Sequence, residues 1–156
     1  MLIYTAMRME IKELGHIVFY VSHLERSAKF YRDVLGFREV ARRDWAVAFS
    51  SGRTHHELLL IEVGGTPHTN DHHRPGFYHA GFKIGETDEE LIAAYRKLKT
   101  TGVPIRGSAD HTVTHSLYIE DPDGNELELY VDVSDVWKED PHALMNPVRP
   151  LPFLLE

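Results

Sequence analysis

The stretch His16-Ile-Val-Phe-Tyr-Val21 sets the architecture of this chain, because its pattern returns 63 positions later (from 16 to 79) as His79-Ala-Gly-Phe-Lys-Ile84. Both stretches begin with a histidine and continue as a strand-like apolar run. A capped amphipathic helix that ends at a glycine is predicted after each of them. The first helix is expected to have Ser22 as its N-cap and to end at Gly36. The second is expected to have Thr87 as its N-cap and to end at Gly102. Self-similarity at a nearly fixed offset indicates an internal duplication.

Shorter strand-like runs follow each helix-ending glycine. We place them at 37–42, 44–50 and 55–62 in the first half, and at 104–109, 115–120 and 126–131 in the second. The sequence therefore predicts an α+β fold in which two tandem βαβββ modules form a cleft around a metal site. The predicted boundaries are 9–133 for a single domain, about 13–63 and 77–132 for its modules, 64–77 for the linker and 134–156 for a C-terminal tail. The Pro-rich end of this tail, 147–156, is expected to pack on a partner or over a pocket.

The bulk composition excludes several classes of protein. The 156 residues have a formal net charge of −7, which argues against a nucleic-acid or anionic-membrane partner. The absence of cysteine excludes disulfides, thiolate metal sites and cysteine nucleophiles. No apolar run approaches the roughly 18 residues of a membrane span. Residues 1–15 lack the apolar stretch that forms the core of a signal peptide. A soluble cytoplasmic protein is expected.

Duplication predicts which side chains meet. If the modules pair about a pseudo-twofold axis, His16 and His79 occupy equivalent positions and converge. Glu128 lies four residues after Gly124, and the same count from Gly52 gives His56. His16, His79 and Glu128 would form a facial triad of two imidazoles and one carboxylate, which leaves coordination positions open on a metal ion. The neighbours Glu57 and Glu126 are expected to point away from the cleft.

The run from Tyr118 to Glu128, Tyr-Ile-Glu-Asp-Pro-Asp-Gly-Asn-Glu-Leu-Glu, resembles the closing motif of type I extradiol dioxygenases. In that motif a tyrosine precedes a glutamate ligand by ten residues. The resemblance covers about 13–133 and indicates the vicinal oxygen chelate superfamily, which includes glyoxalases, extradiol dioxygenases and fosfomycin- and bleomycin-resistance proteins. The large family members have two module pairs, and this chain corresponds to one.

The resemblance implies roles for individual residues. His16, His79 and Glu128 would bind Fe(II), with Mn(II), Ni(II) or Zn(II) as possible substitutes, and His56 would serve as an acid–base group. His111 and Tyr118 would flank the substrate. Arg106, Trp45 and His115 are further candidates for substrate binding. The implied partners are a small aromatic diol and O2, and a homodimer or higher homo-oligomer is the family expectation.

Two other functions stay open at the level of sequence. A glyoxalase-like isomerase, lyase or thiol transferase on the same scaffold predicts a fourth protein ligand to the metal, which His56 could supply. A non-catalytic binder of small molecules, like the bleomycin-resistance proteins, typically lacks the metal ligands. Fold alone does not decide among these functions.

Overall fold

The structure, a computed structural model, describes residues 9–67 and 75–151, and the predicted βαβββ pattern is confirmed in both halves. The first module contains β1 (Ile17–Val21), α1 (Leu24–Lys29) with a π-helical continuation (Phe30–Val34), β2 (Arg38–Arg43), β3 (Ala46–Ser50) and β4 (Leu58–Glu62). The second contains β5 (His79–Gly85), α2 (Asp88–Thr101), β6 (Ile105–Asp110), β7 (Thr114–Glu120) and β8 (Glu126–Asp132).

The two sheets have the same topology, which agrees with a duplication. Their strand orders are β1-β4-β3-β2 and β5-β8-β7-β6. In each sheet the first strand pairs in parallel with the last strand of its module, and the other pairs are antiparallel. Alternation divides β8 into two faces. Its buried apolar residues Leu127, Leu129 and Val131 belong to the core that both modules share, and its even-numbered residues face the other way.

The second helix begins and ends as predicted. The Thr87 side chain accepts a hydrogen bond from the Glu90 amide, and Glu90 reaches back to the Thr87 amide, which completes a capping box. Gly102 ends the helix with φ of 73°, a left-handed conformation that favours glycine. The predicted cap of the first helix was wrong, because His23 and not Ser22 is the N-cap of α1.

Ser22 instead joins the two modules. Its hydroxyl and its amide both donate to Asp123 Oδ1 in the turn between β7 and β8. The buried Ser27 hydroxyl donates to Asp123 Oδ2 at 2.8 Å, and the fully buried Tyr31 hydroxyl donates to Asp121 Oδ2 at 2.8 Å. These long-range contacts hold α1 against the turn that leads into β8, so they fix the first module relative to Glu128.

The start of β4 departs from the prediction. The expected strand 55–62 begins only at Leu58, so His56 lies in the preceding loop. Glu57 causes this, because its carboxylate accepts hydrogen bonds from the amides of Ser51 at 2.9 Å and Thr54 at 3.0 Å. These bonds close a compact loop that delays the strand. The prediction that Glu57 points away from the cleft was wrong, because Glu57 lines one cleft together with His16.

The C-terminal segment packs against its own chain as far as residue 151. Short 3-10 turns occur at Val136–Lys138 and Pro141–Met145. Beyond them, the amide and carbonyl of Arg149 both pair with the backbone of Asp110 at the end of β6. Leu151 is buried. The predicted linker and tail extend into 68–74 and 152–156, which lie outside the described residues. In the described part of the chain, no helix is long and apolar enough to cross a membrane.

Candidate active site

His79 and Glu128 form the centre of the candidate site. Because β5 and β8 are parallel, Gly81 lies beside Glu128 and His79 lies beside Glu126 on the same face of the sheet. His79 Nε2 is 3.2 Å from Glu128 Oε2. Two adjacent ligands at about 2.1 Å from one ion are themselves roughly 3 Å apart, so these donor atoms suit a shared divalent metal ion.

The other oxygen of Glu128 is held by two hydroxyl groups from β7. Ser116 Oγ donates to Glu128 Oε1 at 2.6 Å, and Tyr118 Oη donates to the same atom at 3.1 Å. Ser116 is buried and lies two residues before Tyr118, so the alternation of β7 places both on one face. The two donors fix the carboxylate and leave Oε2 directed at His79.

Tyr118 also contacts His111, the other residue that the resemblance implied to flank the substrate. His111 Nε2, at the turn between β6 and β7, is 2.7 Å from the Tyr118 hydroxyl oxygen. Burial, followed by the charge and hydrogen bond of Glu128, raises the pKa of Tyr118 well above its ordinary value. The phenol is therefore protonated at neutral pH. The tautomer of His111 sets which of the two groups donates in the His111–Tyr118 hydrogen bond.

The expectation that Glu126 points away from the cleft was wrong. Residues two apart on a strand share a face, so Glu126 lies on the same side as Glu128. It is buried, and its Oε1 is 3.5 Å from His79 Nδ1. Burial and the hydrogen bond with Glu126 raise the pKa of Tyr78. A carboxylate behind the far nitrogen of a ligand histidine orients the ring toward the metal.

The second histidine pair belongs to the first module. The His16 and His56 rings lie 4.6 Å apart between centroids, and His56 Nδ1 is 2.6 Å from His55 Nδ1. Burial and the neighbouring His55 and His16 lower the pKa of His56, so its imidazole is neutral at pH 7. A neutral imidazole next to the cleft is suited to accept a proton.

Of the predicted triad, the structure brings His79 and Glu128 together, whereas the His16 ring lies beside His56. Within residues 9–67 and 75–151, no three His, Asp or Glu side chains stand close enough to hold one ion. His16 lines a cleft of about 350 Å³ together with Gly81 and Tyr130. A side chain at Gly81 would place its Cβ 3.6 Å from Glu128 Oε2, so the glycine leaves the side of the cleft next to Glu128 open.

Three of the predicted substrate-binding residues lie away from this cluster. His115 is three residues from Tyr118 on β7 and faces the helix side, where its Nδ1 is 2.6 Å from Asp88 Oδ1. Arg106 is exposed and pairs with Glu120 at 2.7 Å. Trp45 is 58% exposed at the turn between β2 and β3.

The comparison with known families agrees with this architecture. The profile of the Glyoxalase/Bleomycin resistance protein/Dioxygenase superfamily matches residues 13–129, which include both histidine strands and Glu128. This chain belongs to that superfamily. The match covers both modules and the motif that ends in Glu128, so the resemblance seen in the sequence is confirmed at the level of the superfamily.

Similar proteins include a dioxygenase and a thiol transferase. The chain is 30% identical over 132 residues to the catechol-2,3-dioxygenase of Bacillus subtilis strain 168, covering 84% of this chain and 46% of that protein. It is 31% identical over 122 residues to the metallothiol transferase FosB of Staphylococcus haemolyticus, covering 77% of this chain and 84% of the transferase. The chain therefore spans about half of the dioxygenase and most of the transferase.

Solved superfamily structures support the fold. A glyoxalase/bleomycin resistance protein/dioxygenase domain from Frankia sp. EAN1pec aligns with a TM-score of 0.63 and 23% identity. The alignment covers 79% of this chain and 99% of the Frankia chain. At this identity the likeness shows the shared fold and does not assign an activity.

Proposed function

We propose that this chain cleaves a catechol-type aromatic diol with O2 as an Fe(II)-dependent extradiol dioxygenase. The observation that carries the proposal is the set of contacts from His111 through Tyr118 to Glu128, beside His79. These contacts join a proton donor to the carboxylate of the candidate metal site. The 30% identity to a catechol-2,3-dioxygenase supports a catechol-type substrate.

His79, Glu128 and His16 are the residues that would hold the metal. His79 and Glu128 already have donor atoms at a ligand-to-ligand separation, and His16 would turn from His56 into the cleft that it lines. Two neutral imidazoles and one carboxylate fit Fe(II), and Mn(II), Ni(II) or Zn(II) could occupy the same donors. A bound Fe(II) ion would lower the pKa of the diol hydroxyls and orient both reactants.

The chain's own side chains would move the protons. His56 would accept a proton from a diol in the cleft, a role supported by its neutral imidazole and its contact with His16. His111, which is 2.7 Å from the Tyr118 hydroxyl, would supply a proton to an oxygen atom of the reacting diol. Buried Ser116 and Glu126 would keep the ligand side chains in place during these transfers.

Oxygen consumption tests this proposal. The protein would be loaded with Fe(II) without air and then mixed with O2 and catechol or substituted catechols. We expect oxygen uptake together with a yellow ring-cleavage product, and neither with His79→Ala or Glu128→Ala. Tight binding of metal without oxygen uptake on any diol would contradict the proposal.

A metal-dependent thiol transferase or glyoxalase-like enzyme is the second candidate, because the chain covers 84% of the transferase FosB. Such an enzyme could use His56 as a fourth ligand, since its ring is next to His16. His56→Ala separates the two candidates. Retained metal with lost turnover favours the acid–base role, whereas a lower metal occupancy favours the ligand role. A non-catalytic binder would not need the His79–Glu128 pair.

A further inference from the structure

Arg53 contacts the segment that leads directly into His16. Its Nη2 donates to the carbonyl oxygens of Leu14 at 3.2 Å and Gly15 at 3.0 Å. Its Nη1 donates to Glu13 Oε2 at 3.1 Å. One guanidinium group therefore holds the backbone of the two residues that precede this histidine. Lysine could not make all these bonds, because it has a single ammonium group in place of a planar fork.

The same arginine belongs to the loop that carries His56. Arg53 Nε is 3.6 Å from Glu57 Oε1, and Glu57 closes this loop through the amides of Ser51 and Thr54. The loop also places Arg53 on the wall of the cleft that His16 and Gly81 line. A single side chain thus connects the two segments that bring His16 and His56 together.

We infer that Arg53 is a positioning residue, which sets the direction from which His16 reaches the candidate metal site. The inference rests on the proposed metal site and does not depend on the substrate. Without the guanidinium, the segment 13–15 loses its bonds to the loop. His16 is then held only from its other side, where the Ile17 amide donates to the Glu57 carbonyl at 2.9 Å. The His79–Glu128 pair has its own supports on β7 and β8 and would keep its geometry.

Metal titration of the metal-free protein tests the inference without substrate or O2. Co(II) and Zn(II) would be titrated into wild type, Arg53→Lys and the control Arg42→Lys. Arg42 belongs to the same module and pairs with Glu39 and Glu25 on the surface. Loss of an outer partner of a metal ligand typically weakens metal binding roughly 10–100-fold. We expect that loss for Arg53→Lys, with a changed visible spectrum of bound Co(II), and no change for Arg42→Lys.

Equal affinity and an identical Co(II) spectrum in wild type and Arg53→Lys would overturn the inference. An equal loss of metal affinity in Arg42→Lys would also overturn it, because that loss would reflect general destabilisation. The inference would fail as well if the wild-type protein bound neither Co(II) nor Zn(II). A weakened site in a protein that consumes no oxygen with any diol would instead sustain the inference and contradict the dioxygenase proposal.

Discussion

The Tyr118 hydroxyl donates to Glu128 Oε1 at 3.1 Å across the β7–β8 pair, where the two residues are direct register partners. Ser116 donates to the same oxygen, so one oxygen of the carboxylate is occupied and the other is directed at His79. This arrangement orients the candidate ligand Glu128 and places a protonated phenol beside it. Substitutions at Tyr118 and Ser116 separate these two contributions.

Tyr118→Phe should reduce turnover far more than it weakens metal binding, because Ser116 keeps its shorter hydrogen bond to Glu128 Oε1 at 2.6 Å. The phenylalanine keeps the ring and removes the hydroxyl that connects His111 with Glu128. Loss of a proton-transfer group typically costs about 10²–10⁴-fold in rate. Oxygen uptake and the metal content of the same sample would be measured. Tyr20→Phe, at an exposed position on β1, is the matched control and should behave as wild type.

Ser116→Ala should weaken metal binding more than it slows the chemical step. The variant removes one of the two hydroxyl donors to Glu128 Oε1, so the carboxylate is less firmly oriented. We expect the metal Kd to rise roughly 10–100-fold. Isothermal titration with Zn(II) would measure it, with Ser108→Ala on the neighbouring strand β6 as control. An unchanged Kd would show that Tyr118 alone orients the carboxylate.

Asp123→Asn should destabilise the pairing of the modules in a pH-dependent way. Burial alone would raise the pKa of Asp123, but the hydrogen bonds from Ser22 and Ser27 lower it overall. A pKa below the unfolded value of about 3.9 means that the carboxylate stabilises the fold above that pH. This contribution is lost as the pH falls through the folded pKa.

Urea denaturation of Asp123→Asn at two pH values checks the effect. At pH 7 we expect the free energy of unfolding to fall by about 1–3 kcal/mol, the scale of hydrogen bonds to a charged group. Near pH 3 the difference from wild type should be smaller. Asp135→Asn, at an exposed position, should show neither effect. A constant difference at both pH values would contradict the role of the Asp123 charge.

Arg149→Pro should disturb the hairpin that carries His111. The Arg149 amide donates to the Asp110 carbonyl at 3.0 Å, immediately before His111, and proline has no such amide. We expect a loss of about 1 kcal/mol in stability and a larger relative loss in turnover. Arg149→Ala keeps the backbone bonds and serves as the control. Equal turnover of the two variants would show that the tail does not position His111.

Much of the fold could be predicted from the sequence because the signals were local. The capping box at Thr87 and the glycine at 102 mark the ends of α2, and the alternation of β8 separates its core residues from Glu128. Ser22 could not be assigned in this way. Its partner Asp123 lies 101 residues away, and no local pattern reports that contact.

Part of the candidate site could also be predicted from a local signal, the alternation of residues along a strand. Strand periodicity brings Tyr118 to Glu128, and applied consistently it would also have identified Ser116 and Glu126 and placed His115 on the opposite face. The position of His56 depends on a loop closed by Glu57, and Arg53 acts through backbone carbonyls. Neither leaves a recognisable spacing in the sequence.

The most direct test of the central claim is the fate of isotopically labelled O2. The Fe(II)-loaded protein would react with catechol under labelled O2, and the product would be analysed by mass spectrometry. Extradiol cleavage at the His79–Glu128 site predicts a ring-opened product that contains both labelled atoms, and no such product from Glu128→Ala. A ring-opened product without label, or no product from metal-loaded wild type on any diol, would contradict it.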